Sequence, residues 1–469
     1  MTKYIARIIA KSYEQLRDLD KYHLDLKKRT ARREGTDKFI VTGILNKQQI
    51  QQVQSDGYTV EVLSDLSQVS KERMQEVSKT NRFTESKKAS ELVEDAQLGG
   101  YMNADEVETA LMNLSDAHSE FITLIELKDK TWNGRLCRAV HVQAGEKSKK
   151  RDGVLITGGM HAREWGGSDI CINFLTSLID SYINGTTISY GEATFPPIQV
   201  KNMLENLDLF VFPDVNPDGK IYSQKNDDPN LPPDDQGIWW RHNRNPAAVP
   251  HVDDPNHGIG VDINRNFDFL WSSGIGTVRS DGTNIGETYR GTAAFSEPET
   301  KNVKYFFDTF HNIKYYVDIH SYGEMILYNW GDDDNQNLDP DMNFQNPRYA
   351  KARGIPGDLE YKEYIETEDD KKLKNLADRM NYALERVRGR KYRVEQGVGL
   401  YPTSGTSDDY AFSRHIVDAS NQKTYGFTIE FGKEEAGFIP TYSEMQNIIK
   451  EVSSALTEFC IAAATATNS

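Results

Sequence analysis

The sequence predicts an α/β protein, in which a mixed, mostly parallel sheet is sandwiched by helices and preceded by a small α+β domain. Two observations lead there. From Ala104 onward short apolar runs such as Val154-Leu155-Ile156 alternate with longer stretches whose apolar residues recur at helical spacing; alternation on that scale covers both faces of a largely parallel sheet with helices. Residues 1–67 carry a shorter β/α alternation of their own, and residues 68–99 that follow are polar and rich in Lys, Glu and Ser. At 469 residues the chain is long enough for both units and a large core.

Taken in order, Tyr4–Ile9 is strand-like, and Tyr13, Leu16 and Leu19 form a helical stripe behind it. Phe39–Ile44 is a second strand, and Ile50 and Val53 mark the inner face of a second helix. Gly57 caps that helix before the alternating strand Tyr58–Val62. This order fits a ferredoxin-like domain over 1–67, with 68–99 as a helical or flexible connector. Residues 100–469 form the larger unit. There a helix is expected over 104–117, where Val107, Leu111 and Leu114 share one face. Strands follow at 136–142, 153–158 and 207–213, and helices at 168–183, 299–311, 372–388 and 442–462. The stretch between Trp330 and Lys371 opens Asp332-Asp333-Asp334-Asn335. It lacks the glycine and glutamate of a calcium loop in register, so it reads as a solvated surface loop.

Charge narrows the partners. The formal net charge is −16 and no basic block stands out, which argues against nucleic acid or an anionic membrane as a partner. No apolar run reaches the length of a membrane span. The first residues lack the apolar core of a signal peptide, and Cys137, Cys171 and Cys460 are odd in number and widely spaced. Buried free thiols and a cytoplasmic protein are the expectation, with a secreted protein the alternative should a leader precede this sequence. Oligomeric state is not legible.

The chemistry gathers in four places. After the strand at 153–158 comes Gly158-Gly159-Met160-His161-Ala162-Arg163-Glu164-Trp165, where an imidazole and a carboxylate three residues apart can share one metal ion. That spacing alone is equally compatible with a loop histidine beside an unrelated acid. Tyr315–Tyr322 reads as a strand with His320 at its end, the place where ligands bind in open α/β sheets; a lone hydrogen-bonded histidine would look the same. Tyr425–Phe431 sets one carboxylate, Glu430, in an otherwise apolar strand, and acids are seldom buried without a partner or a task. Lastly, Arg241 in Trp240–Arg244 and Arg265 in Val261–Asn266 stand in aromatic or apolar surroundings, suited to binding a carboxylate or stabilising an oxyanion.

With these motifs in this order, residues 100–469 resemble the zinc metallocarboxypeptidases of the pancreatic carboxypeptidase A and B family. The resemblance implies a carboxypeptidase-like fold and one zinc per chain, held by His161, Glu164 and His320. It makes Glu430 the general base and Arg241 the oxyanion-stabilising residue. Asn264, Arg265 and Tyr401 would hold the free carboxylate of a peptide or protein C-terminus, the implied substrate. Arg163, Tyr322 and Phe438 would line the neighbouring subsites. Asp262 is positioned in sequence to orient the His161 ring, and Gly397-Val398-Gly399 before Tyr401 suits a closing lid. Against the family pattern, the segment between Trp330 and Lys371 is an insertion. The N-terminal domain is similar to the family's pro-segments, with an accessory role and an inhibitory one both open. A cell-wall peptidase on the same fold and a catalytically silent binding protein are the rival readings. The silent protein should lack a ligand or the base, and this chain has all four.

Asp408, seven residues after Tyr401, falls where the B-type enzymes carry the aspartate that pairs with Lys or Arg. A buried carboxylate there favours a basic terminal residue. Gln396 departs from the B type and keeps a mixed preference open.

Overall fold

The computed structural model describes residues 2–22, 24–84, 99–225, 237–247, 259–277, 287–399 and 401–466. Its N-terminal unit has strands β1 (Lys3–Ala10), β2 (Asp25–Arg33), β3 (Phe39–Asn46) and β4 (Thr59–Asp65), in the antiparallel order β2-β3-β1-β4. Helices Tyr13–Arg17 and Lys47–Ser55 connect β1 to β2 and β3 to β4, completing the ferredoxin-like βαββαβ pattern. Asn46 and Gln49 form a capping box on the second helix, each side chain bonding the other's backbone N–H. Ile8, Leu16, Leu19, Val41 and Val53 make the small apolar core of this unit, as the stripes predict.

Strand β2 was not visible in the sequence. Its nine residues, Asp25 to Arg33, show no apolar alternation, and five of them are basic (Lys27, Lys28, Arg29, Arg32 and Arg33). They form a basic block in an acidic chain, contrary to the charge reading above.

The larger unit is built on strands β5 (Ile122–Glu126), β6 (Arg138–Val142), β7 (Asp152–Gly158), β8 (Ile188–Tyr190), β9 (Ala193–Phe195), β10 (Leu207–Phe212), β11 (Ile313–Ser321), β12 (Met325–Tyr328), β13 (Asn335–Gln336), β14 (Glu363–Tyr364), β15 (Arg393–Gln396) and β16 (Tyr425–Phe431). Eight of these form one sheet, β15-β12-β16-β11-β7-β10-β6-β5; β8 pairs with β9 and β13 with β14. Its centre, β16-β11-β7-β10, is parallel, while β12 runs antiparallel to β16 and β6 antiparallel to β10. Helices Ala104–Ala117, Gly166–Asn184, Pro298–Thr309, Thr367–Arg388 and Tyr442–Ala466 lie within a few residues of the predicted ones. Cys137, Cys171 and Cys460 are free and buried. Among the described residues no helix is long and apolar enough to cross a membrane.

Two glycines fix the site loop. A Cβ on Gly158 would lie 3.0 Å from the Gly167 carbonyl oxygen, so helix Gly166–Asn184 packs directly against the end of β7. Gly159 takes φ +73° and lies 3.0 Å from Asp214 Oδ1 by the same measure; any side chain there would be strained and crowded. The turn that carries His161 therefore begins from a rigid corner.

The insertion is not a solvated loop at its start. Asp332 and Asp333 are fully buried. Asp333 accepts the backbone N–H of Gly354, Ile355 and Asp334, folding the insertion back on itself. Burial and the neighbouring Glu363 push the Asp332 carboxyl well above the usual carboxylate range.

Candidate active site

The parallel core carries the reactive groups to one edge. Residues His320 and Glu430 are directly paired across β11 and β16, and Ile319 pairs with Gly158 of β7. Three adjacent strand ends thus deliver His320, Glu430 and the His161–Glu164 turn to one place, beyond the carboxyl ends of the strands. All four side chains are buried.

His161, Glu164 and His320 point their donor atoms at one another. His161 Nδ1 lies 2.9 Å from Glu164 Oε1 and 3.0 Å from His320 Nδ1, and His320 Nδ1 lies 3.0 Å from Glu164 Oε2. Among the described residues this is the one group of three or more His, Cys, Asp or Glu with ligand atoms all within 4.8 Å of one another. Two imidazole nitrogens and a carboxylate are the donor set of a catalytic zinc site, which leaves a further position open. Each ring is held by an outer carboxylate on its other nitrogen: His161 Nε2 bonds Asp262 Oδ1 at 3.1 Å, and His320 Nε2 bonds Asp318 Oδ2 at 2.7 Å. Both bonds turn Nδ1 toward the metal position and fix the tautomer. The first partner is legible in the sequence. Asp318 is not, although it stands two residues before His320 and so points to the same face of β11.

Asp262 does more than orient one ring. Its Oδ2 accepts from Arg241 Nε and Nη2 at 3.1 and 3.0 Å, and its Oδ1 accepts the Asn264 N–H at 3.1 Å. It thereby fixes Arg241 beside the metal ligands, with Nη1 3.9 Å from Glu164. Asn264 is locked by the Ser407 N–H on its Oδ1, at 2.8 Å. Arg265 donates Nη1 to the Asn264 carbonyl at 2.6 Å, while its buried Nε has no hydrogen-bond partner among the described residues. Burial pulls the Arg265 guanidinium down to about 10, with Asp262 offsetting only part of the loss. Guanidinium geometry is suited to binding a carboxylate through two hydrogen bonds.

The remaining predicted residues meet the N-terminal unit. Arg163 sits over Phe438, its guanidinium carbon 4.0 Å from the ring centroid, and binds Asp25 through Nη1 and Nη2 at 2.7 and 3.1 Å. Tyr322 packs edge-on to Phe438 and bonds Thr42 through its hydroxyl at 3.1 Å. Lys27 Nζ reaches Glu430 Oε1 and Oε2 at 3.0 and 2.8 Å and the Ser321 carbonyl at 2.8 Å. Arg29 Nη2 stands 4.0 Å from Asp408 Oδ2. Tyr401 donates its hydroxyl to the Leu16 carbonyl at 2.8 Å and joins the core of the N-terminal unit. Beyond the cleft, Arg7 and Arg32 pair with Glu434. Strand β2 therefore covers the cleft floor, and the cavity left beneath it measures ≈ 30 Å³, too small for a peptide. Sequence reasoning missed Asp25, Lys27 and Arg29; the cluster of basic residues in β2 was the signal available.

The fold and this centre define an α/β protein with a single mononuclear zinc site at the carboxyl edge of a mixed sheet. The chain belongs to the zinc carboxypeptidase family (peptidase M14), whose model matches residues 107–455. Human carboxypeptidase B is 29% identical over 296 residues, 62% of this chain and 54% of that protein; bovine carboxypeptidase B is 28% identical over 313 residues, 66% and 58%. The match thus spans little more than half the length of these curated relatives. Among solved structures, carboxypeptidase A from Helicoverpa armigera superposes with a TM-score of 0.69 at 19% identity, covering 100% of this chain and 98% of that one. Thrombin activatable fibrinolysis inhibitor gives 0.69 at 18%, covering 99% and 100%. Both likenesses cover the N-terminal unit as well as the larger one.

Proposed function

We propose that the protein is a zinc-dependent carboxypeptidase that removes the C-terminal residue of peptides or proteins and favours Lys or Arg there. The observation that carries the reaction is the buried, incompletely partnered guanidinium of Arg265 beside a three-donor metal site and a buried carboxylate. Arg265 and Asn264 bind the terminal carboxylate of the substrate, which limits cleavage to the last peptide bond. His161, Glu164 and His320 would hold the zinc, which when bound would supply Lewis acidity and a water of pKa lowered toward ~7. Glu430 takes the proton of the attacking water and delivers it to the leaving amine. Arg241, held rigid by Asp262, faces the oxyanion that develops on the scissile carbonyl. Tyr401 serves the clamp only after leaving Leu16, a lid movement about Gly397 and Gly399.

Support for a basic preference comes from Asp408. It is buried, accepts the Thr428 hydroxyl at 2.8 Å and already faces a guanidinium, that of Arg29. The two carboxypeptidase B relatives point the same way. Gln396 spends its amide on the Trp330 and Asp333 carbonyls and the Asn335 N–H, an arrangement that supports leaving the pocket to Asp408. Removing one partner of a buried charge pair costs ~3–5 kcal/mol. In protein cleaved within the connector, Asp408→Ala should therefore lower kcat/KM for an Arg-terminated blocked dipeptide by roughly 10²–10⁴-fold. A matched Phe-terminated dipeptide should be spared or improved. An unchanged Arg-to-Phe ratio would remove Asp408 from the pocket.

A further inference from the structure

Strand β2 does not pair evenly with β3. Asp25, Leu26 and Lys27 lie opposite Ile44, Gly43 and Thr42, and the ladder resumes only at Arg32 opposite Ile40. Five steps along β2 thus answer two along β3, so residues 28–31 bulge out of the sheet. The bulge is stitched by Thr30, whose hydroxyl donates to the Lys27 carbonyl at 2.7 Å and accepts the Thr42 N–H at 2.9 Å. Lys28 turns back to its own unit, pairing with Asp20 at 2.9 Å. Asp25, Lys27 and Arg29, at alternate positions, face the cleft and meet charges opposite to their own on Arg163, Glu430 and Asp408.

We propose that this bulge is a built-in substrate mimic: Arg29 fills the side-chain pocket on Asp408 while Lys27 ties up Glu430. The same carboxylate that selects a basic terminal residue then holds the N-terminal unit over the cleft. The inference rests on the basic-specificity reading given above. Arg29 copies the side chain of such a substrate and not its terminus. As a mid-chain residue it brings no carboxylate to Arg265, whose Nε has no hydrogen-bond partner among the described residues. With Glu430 engaged by Lys27 as well, the bulge occupies the site without being cut. Arg29 Nη1 is itself buried with no hydrogen-bond partner among the described residues, so the guanidinium is held by charge, Asp408 first and Glu430, Asp409 and Asp318 after it.

The test uses the uncleaved, zinc-loaded chain and two readouts, amide hydrogen exchange across residues 25–33 and hydrolysis of an Arg-terminated blocked dipeptide. Arg29→Ala lies outside the β2–β3 ladder, and circular dichroism verifies that the fold persists. Exchange and hydrolysis should each rise at least tenfold in Arg29→Ala, whereas Arg29→Lys, which keeps the cation, should stay near wild type. Asp408→Ala should raise exchange in the same segment. Exchange and hydrolysis both unchanged in Arg29→Ala would overturn the proposal, since other contacts would then hold the strand. Raised exchange in Arg29→Ala and Asp408→Ala, with no form of the protein hydrolysing any free-acid peptide even after connector cleavage, would uphold Arg29 on Asp408 as the contact that holds the strand but overturn its being a substrate mimic, together with the carboxypeptidase reading.

Discussion

Glu430→Gln should lower kcat by ~10²–10⁴-fold, the range that general acid–base catalysis supplies, while leaving zinc content and fold intact. The carboxylate sits at the end of β16, register-paired with His320. Glutamine keeps the shape and loses only the capacity to accept a proton. Because the substitution touches no metal ligand, the loss should fall on kcat and kcat/KM alike, with KM little moved. The measurement belongs on protein cleaved within the connector, since in the intact chain Lys27 occupies both carboxylate oxygens. Turnover within tenfold of wild type would mean that another group is the base. A second effect follows in the uncleaved chain: the Lys27 ammonium would be left buried opposite a neutral amide, which should loosen the N-terminal unit.

His320→Ala should abolish both stoichiometric zinc and activity. The site offers three protein donors, and removing one leaves His161 and Glu164 alone. The loss is compounded by Asp318, whose carboxylate is built to receive the His320 N–H at 2.7 Å and would remain buried without it. Metal analysis after dialysis, on wild type and variant together, reads the outcome. A variant that keeps one zinc per chain and full activity would remove His320 from the centre.

Much of this was legible in the sequence for a physical reason. The strands β7, β11 and β16 are buried on both faces and announce themselves as apolar runs, so the polar residues at their ends stand out. His161, His320 and Glu430 are legible on that account. Asp262 could be read because it lies two residues before Asn264 in a motif already singled out. What stayed hidden were charged residues whose partners lie far away in the chain. Strand β2 has no apolar alternation because its outward face is buried against charges of the larger unit, not against an apolar core. Asp25, Lys27 and Arg29 pair with residues 138, 403 and 379 positions away respectively. Asp332 and Asp333 look like solvated acids for the same reason: their burial depends on backbone that returns some twenty residues later. Tyr401 shows a third limit: its hydroxyl is given to the Leu16 carbonyl, a partner in the other unit and 385 positions away.

In the proposed reaction a carboxylate at the substrate's end is required, because Arg265 and Asn264 would bind it. The most direct measurement compares two peptides of one sequence ending in arginine, one with a free C-terminal carboxylate and one amidated, each incubated with zinc-loaded protein cleaved within the connector. Mass spectrometry should show loss of the single terminal arginine from the free acid, suppressed by a zinc chelator, and no reaction of the amide. Equal cleavage of the amidated peptide, or products cut at internal bonds, would contradict the account.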